Sequence, residues 1–148
     1  MLDEAGLTFN ALQGEITENT LLHDKDNLLP ILKKFSESGL VLALDDFGTG
    51  YASVTHLAQL PLQLVKLDRS YVSSICDDVH MANIVQHLIA LAQSLSLRVV
   101  AEGVETQAQY DLLRKAGCDE LQGYLFRSPV ALQEFEDKYL LTTMPIKA

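Results

Sequence analysis

Val41-Leu42-Ala43-Leu44-Asp45-Asp46-Phe47-Gly48-Thr49-Gly50-Tyr51 is the stretch whose reading decides the fold. Apolar residues run unbroken from Leu40 to Leu44, two adjacent carboxylates follow, and a glycine-rich loop begins. A short run rich in Val and Leu, bounded by turn residues, reads as a strand buried on both faces. Asp45 and Asp46 therefore fall where a buried strand ends, with no basic residue beside them. Two like charges there are costly unless a cation or a shared proton relieves them. The plainer alternative is an Asp-rich strand exit that caps the next turn. Gly48-Thr49-Gly50 lacks the third glycine of a dinucleotide fingerprint and is weak evidence for a nucleotide cofactor.

Upstream of that stretch, Leu7 to Ile16 reads as a weaker strand, running into Gly14-Glu15-Ile16-Thr17-Glu18-Asn19. From Asp24 the pattern turns helical, with Leu28, Leu29, Ile31, Leu32 and Phe35 on one face. Asp24 or Asp26 can cap its start, and Gly39 is placed to stop it. Downstream, a short helical stretch from about Ala52 to Gln59 closes at Pro61. Leu64-Val65-Lys66-Leu67-Asp68 is a third strand, with a lysine among apolar neighbours. Val79 to Ser94 predicts a long amphipathic helix, and Leu97 to Ala101 a fourth strand ending in Glu102-Gly103-Val104-Glu105. Thr106 and Gln109 are spaced as a capping box for a helix that closes at Gly117. A fifth strand, about Glu120 to Tyr124, precedes a last helix from about Ala131 to Tyr139. The expectation is one domain over residues 1–148, ordered over about 7–140, with a loose tail over 142–148.

Strand and helix alternate throughout, which calls for parallel strands joined by right-handed helical crossovers. The polar residues fall at or near the carboxyl ends of strands: Glu15, Asp45 with Asp46, Lys66, Glu102 and Gln122. An open sheet with strands about 4.8 Å apart would spread them over about 20 Å. A barrel brings them to one mouth, where (β/α)-barrel active sites lie. Convergence favours the barrel, although only five strand–helix units are present and a closed barrel of this type has eight.

The net charge of −9 sets aside nucleic-acid polymers and anionic membrane surfaces as partners. A small anionic ligand fits if metal ions supply the positive charge. Cys76 and Cys118 match neither a zinc spacing nor a disulfide framework, and read as buried free thiols in a reducing cytosol. The four histidines form no HxH or HxxxH pair. No signal peptide and no apolar run long enough for a bilayer is present, so a soluble, cytoplasmic chain is expected.

Four carboxylates, a lysine and an amide at strand ends suit a two-metal site, because Mg²⁺ and Mn²⁺ prefer hard oxygen ligands. Paired ions polarise a phosphoryl group and lower the pKa of a water that becomes the nucleophile. Lys66 would hold that water or offset charge on phosphorus, unless it snorkels outward or pairs with Asp68. Glu102 and Glu105 have a second reading, as favourable charge at the start of the helix after Thr106.

Five segments resemble, in order and spacing, the motifs of EAL-type cyclic di-GMP phosphodiesterases. They are Glu15-Ile16-Thr17-Glu18, Asp45 to Tyr51, Lys66-Leu67-Asp68-Arg69-Ser70, Glu102-Gly103-Val104-Glu105-Thr106 and Gly117 to Tyr124. The resemblance runs from about Glu15 to Pro129. It implies an α/β fold, a (β/α)8 TIM-type barrel present here as about five βα units. It further implies hydrolysis of cyclic di-GMP to the linear dinucleotide pGpG with two Mg²⁺ or Mn²⁺ ions. On that resemblance Glu15, Asp45, Asp46 and Glu102 are metal ligands, and Lys66 touches the hydrolytic water. Glu102 is also given the role of general base. Gln122 and Glu105 support the site, and Glu18 holds the Asp46–Ser53 loop, which in this family couples metal binding to dimerisation. Ala52 and Val54 stand where Ser and Leu are usual.

The family's Glu-Ala-Leu strand, which supplies a ligating glutamate, and a ligating asparagine from the next strands have no counterpart in these residues. The chain thus reads as about the carboxyl-terminal two-thirds of such a domain. Its open sheet edges would invite a homo-oligomer or strand exchange. Two further readings stand beside hydrolysis. One is an inactive truncated module working through protein contacts or weak cyclic di-GMP binding. The other is a flavodoxin-like α/β binding domain.

Overall fold

The computed structural model describes residues 2, 4, 6–50 and 54–140, with the side chains of residues 22, 24–26 and 140 set aside. Five strands form one parallel sheet in the order β1-β2-β3-β4-β5: Gln13–Thr17, Val41–Phe47, Leu64–Leu67, Arg98–Ala101 and Glu120–Leu121. Among the described residues six α-helices accompany them: α1 (Glu18–Glu37), α2 (Val54–Leu57), α3 (Arg69–Ser74), α4 (Val79–Ser94), α5 (Gln107–Lys115) and α6 (Leu132–Phe135). Each strand pairs with its successor in sequence. A doubly wound sheet such as the flavodoxin type reverses direction at a switch point. This sheet has no reversal, which removes the flavodoxin-like reading and leaves the barrel winding.

Alternation along the strands divides the sheet into two unlike faces. Leu42 and Leu44 of β2, Val65 and Leu67 of β3, and Val99 and Ala101 of β4 pack with helix residues that include Leu32, Val72, Val85, Ile89 and Leu113. The residues between them form a second, small cluster of Ala43, Leu64 and Val100, flanked by Val41. No helix residue belongs to that cluster among the described residues, yet Ala43 and Leu64 are 0% and 1% exposed. Such burial fits a sheet that curls over its own inner face, as a barrel wall does.

Several boundaries differ from the sequence expectation. The first strand covers only Gln13–Thr17, behind a 3₁₀ turn at Phe9–Ala11. Helix α1 begins at Glu18 rather than near Asp24, because the Thr17 hydroxyl accepts from the Thr20 N–H and Leu21 starts the buried face. It runs through Pro30 and ends before Gly39, whose φ of +92° only glycine adopts readily. Of the face assigned to it, Leu32 is buried, while Ile31 and Phe35 stay exposed.

Helix α3 was not expected; Asp68 leaves the third strand to cap it, accepting from the Ser70 N–H at 2.9 Å. The long helix over Val79–Ser94 and the capping box of Thr106 and Gln109 are as read from sequence. Strand β5 stops at Leu121, and the chain continues by bonding the Val104 loop: Val104 N–H to Gln122 C=O, and Leu125 N–H to Val104 C=O. The final helix is one turn of α followed by a π turn over Glu136–Leu140. Cys118 is buried but Cys76 is exposed, and both are free thiols. The start of the helix expected at Ala52 and the tail over 142–148 lie outside the described residues.

Candidate active site

Glu15 of β1, Asp45 of β2, Lys66 of β3 and Glu102, one residue past β4, share the parity of the inner-face residues Ala43, Leu64 and Val100, so all four fall on one side of the sheet. Lys66 is the centre. Its Nζ lies 2.9 Å from Glu15 Oε2, 3.4 Å from Asp45 Oδ1 and 2.7 Å from Glu102 Oε1. Burial opposes the ammonium's charge, but hydrogen bonds to Glu102 and Glu15 outweigh it and hold the pKa above the ordinary lysine value. The same contact with Lys66 holds the Glu15 carboxyl below the usual glutamate range. Glu15 also accepts at Oε1 from the Gln13 side chain, 3.0 Å away, two residues along the same face. Gln13 is a contact the motif reading missed; its i, i+2 spacing on a strand was the available signal.

The Asp45–Asp46 pair sits in an irregularity of β2. The register between β2 and β3 shifts between Leu44 and Phe47, and Asp46 takes φ +56°. A left-handed non-glycine residue costs about 1 kcal/mol, and aspartate tolerates it better than most. Such distortions re-aim side chains beside functional sites. Partial burial, then the negative neighbours Asp45 and Asp68, raise the Asp46 carboxyl above its ordinary value. Asp68 thus belongs electrostatically to the site and does not appear among the ion pairs of Lys66.

The loop after Asp46 is tied from several sides. Glu18, buried at the first turn of α1, accepts from the Gly48 N–H at 3.1 Å and the Gly50 N–H at 3.2 Å. A Cβ on Gly50 would lie 2.8 Å from that carboxyl carbon, so glycine there allows the approach. Thr49 bonds back to the Asp46 carbonyl through both its N–H and its hydroxyl. The Tyr71 hydroxyl of α3 donates to the Gly48 carbonyl. Burial, with Glu18 and Asp68 nearby, pushes the Tyr71 phenol up and keeps its proton in place.

On the other flank, Glu105 does not join the lysine cluster but pairs with Arg69 at 2.7 Å. Gln122 is exposed at the mouth, its backbone N–H bonded to the Ala101 carbonyl. Glu102, Glu105, Gln122, Arg69 and Tyr124 line a cleft of about 200 Å³ beside Glu102. A larger cleft of about 680 Å³ opens next to it, lined by Tyr124, Arg127, Phe135 and Tyr139. Of the expected set, then, Glu15, Asp45, Lys66 and Glu102 are in contact. Asp46 stands beside them, Glu18 grips the loop, and Glu105 and Gln122 border the cleft.

The carboxylate oxygens of Glu15, Asp45, Asp46 and Glu102 are the donors that hard divalent cations select. In this structure three of them are drawn around an ammonium. Among the described residues no three acidic, histidine or cysteine side chains are gathered as a ready-made ion cage. The chemistry fits a divalent ion, and Lys66 is the cation that would have to share the carboxylates with it.

Comparison with known proteins points the same way. The cyclic di-GMP phosphodiesterase NbdA of Pseudomonas aeruginosa is 44% identical over 147 residues, 97% of this chain and 19% of that protein. The cyclic di-GMP phosphodiesterase PdeR of Escherichia coli is 37% identical over 139 residues, 94% of this chain and 21% of that protein. The chain thus spans about a fifth of the length of these curated relatives. Among solved structures, the PaMucR phosphodiesterase bound to cyclic di-GMP superposes with a TM-score of 0.86 at 40% identity. The match covers 90% of this chain and 54% of that one. The EAL domain of Mycobacterium smegmatis DcpA gives a TM-score of 0.86 at 34% identity, covering 97% and 65%. The family model described as EAL domain matches residues 1–129, and the chain belongs to that family.

Proposed function

We propose that these residues form part of a metal-dependent phosphodiesterase site that hydrolyses cyclic di-GMP to pGpG. The observation that carries the reading is the Lys66 ammonium held by carboxylates from three neighbouring strands, at 2.9, 3.4 and 2.7 Å. Relatives named as cyclic di-GMP phosphodiesterases supply the substrate. A manganese and cyclic di-GMP complex of BlrP1 from Klebsiella pneumoniae, 33% identical with a TM-score of 0.80, supports a divalent ion. Mg²⁺ or Mn²⁺ is the proposed metal.

Glu15, Asp45, Asp46 and Glu102 would hold two such ions, which supply the Lewis-acid charge that an anionic phosphodiester and an attacking water need. Lys66 orients the water and offsets charge that builds on the phosphoryl oxygens. Glu102 would accept the proton the water gives up as its oxygen bonds to phosphorus, and the ribose oxygen released when the P–O ester bond breaks would take a proton from solvent. Glu18 holds the loop that carries Asp46, while Gln122 and Glu105 border the cleft where the substrate would enter. The Glu-Ala-Leu glutamate and the asparagine of the family are not among the 148 residues. In this reading a partner chain, or sequence outside these residues, supplies them. The edges β1 and β5, and the loop from Asp46 towards Ser53, are the places where a second copy would join; residues 51–53 lie outside the described set.

The alternative is a non-catalytic EAL module, favoured by the absence of that glutamate and asparagine from the 148 residues. Incubation of the 148-residue chain with cyclic di-GMP and Mn²⁺, following release of the linear dinucleotide, separates the two. Turnover that Asp46→Asn abolishes supports hydrolysis. A folded chain that binds no Mn²⁺ and releases no linear dinucleotide assigns it to the contact module.

A further inference from the structure

We infer that Tyr71 is a positioning residue of this site, its hydroxyl fixing the loop that carries Asp45 and Asp46. The inference rests on the reading of those acids as site residues, and its argument is geometric. Gly48 is gripped at both ends of its backbone: its N–H donates to Glu18 at 3.1 Å, and its C=O accepts from the Tyr71 hydroxyl. Glu18 opens α1 and Tyr71 lies in α3, so the grip spans the units on either side of β2. Gly48 has φ +93°, and a Cβ there would lie 2.9 Å from Leu88 Cδ1 and 3.2 Å from the Tyr71 oxygen. The left-handed backbone and the close approach of the Tyr71 hydroxyl both favour glycine at this place.

Two residues upstream, Asp46 holds its left-handed backbone, which relaxes unless its surroundings over-determine it. The Thr49 bonds to the Asp46 carbonyl are local and travel with the loop. Among the described residues beyond Phe47, which pairs with Leu67 of β3, the Glu18 and Tyr71 bonds tie it to other elements of the fold. Tyr71 is itself anchored: its N–H donates to the Asp68 carbonyl at 3.1 Å, one turn after the strand that bears Lys66. A phenol at this position thereby links the loop bearing the paired acids to the strand bearing the lysine. A phenylalanine would fill the same space without the link.

Tyr71→Phe tests it, because ring and packing are kept and only the hydroxyl is lost. Amide exchange of Gly48 and Gly50, read by NMR in the metal-free chain, should quicken about fivefold, as for loss of one neutral hydrogen bond. Amides of β4 and α5 should be unchanged. Mn²⁺ affinity, read by electron paramagnetic resonance, should weaken about tenfold, with the melting temperature lowered by about a few degrees at most. Unchanged exchange at Gly48 and Gly50 overturns the inference, as does faster exchange with Mn²⁺ affinity intact. If the unmodified chain binds no Mn²⁺, the phosphodiesterase reading fails by itself, and the exchange difference alone decides whether Tyr71 fixes the loop.

Discussion

The two faces of the sheet use alternate residues of the same strands for opposite ends. Leu44, Val65, Leu67, Val99 and Ala101 bury their side chains against helices, and each is fully or nearly fully buried. One residue away along each chain, Asp45, Lys66 and Val100 turn inward, to a face whose apolar part is only Ala43, Leu64 and Val100. The outer face gains free energy from area removed from water, about 25 cal/mol per Å². The inner face carries three carboxylates and an ammonium, whose mutual attraction roughly offsets what their desolvation costs. A slip of one residue would exchange these sets, so the outer core is what fixes the register that brings the charges together. Stability and chemistry therefore share backbone but not side chains, and substitutions on the two faces should behave differently.

The largest effect on folding belongs to the outer face. Leu44→Ala removes a fully buried side chain from the centre of the core and should destabilise the chain by about 3 kcal/mol in urea titrations. Lys66→Met, on the other face, should cost about 1 kcal/mol. The three acids it strands keep a quarter to two-fifths of their side-chain surface in water, which screens their repulsion. Turnover should be lost, while Mn²⁺ binds about threefold more tightly, because no ammonium competes for the carboxylates. A Lys66→Met chain with weaker Mn²⁺ binding would mean that the lysine organises the acids for the ion rather than competing with it.

Acid sharpens the contrast further. Glu15 titrates below its ordinary value of 4.5 because of Lys66, so its contribution to stability is present above that value and is lost as pH falls through the folded pKa. Asp46 has the opposite sign: its carboxyl is raised above the ordinary 3.8, so protonation as pH falls through the folded value favours the folded state and offsets part of the decline. Lys66 contributes fully below its ordinary 10.5 and changes nothing over this range. Melting curves of the metal-free chain should therefore fall below pH 4.5 more than those of Lys66→Met, which keep only losses such as that of Asp68, whose carboxyl the Ser70 hydrogen bonds hold below its ordinary 3.8. The two should converge in acid, and curves that stay parallel would show that the lysine cluster adds no stability.

What the sequence revealed follows the same division. The Leu40–Asp45 strand and the Val79–Ser94 helix were legible, the one from an unbroken apolar run and the other from an apolar period sustained along its length. The parallel winding followed from strands alternating with helices, and the barrel from the convergence of polar residues at the carboxyl ends of the strands. Site residues at strand ends were legible because parity puts Glu15, Asp45, Lys66 and Glu102 on one face. The start of α1 was not, because Thr17-Glu18-Asn19-Thr20 carries no apolar period and only the Thr17 cap marks it. Helix α3 is six residues long, too short for periodicity, and its one signal was Asp68 two residues before Ser70. Distances between side chains are beyond any periodicity: that Lys66 sits among three acids, that Glu105 is taken by Arg69, and that β2 is distorted at Asp46 are products of packing.

The two cysteines offer the finest probe of whether the faces are independent. Cys118 lies in the outer core, 2% exposed, with its thiol 3.4 Å from the Val99 carbonyl and 3.3 Å from that of Glu120. Burial pushes its pKa up to about 11, so in the folded chain it carries almost no thiolate. Cys76 is exposed and accessible. At about pH 8 a thiol reagent should label Cys76 quickly and Cys118 only through opening of the core, since reactivity follows access and thiolate fraction. Leu44→Ala weakens that core and should speed Cys118 labelling about a hundredfold, the ratio that about 3 kcal/mol gives when opening is global. Lys66→Met and Tyr71→Phe, each worth about 1 kcal/mol, should speed it less than tenfold. Equal acceleration by Leu44→Ala and Lys66→Met would mean that the charged mouth and the helix-covered core open together, and that the division between the faces is one of composition rather than of energy.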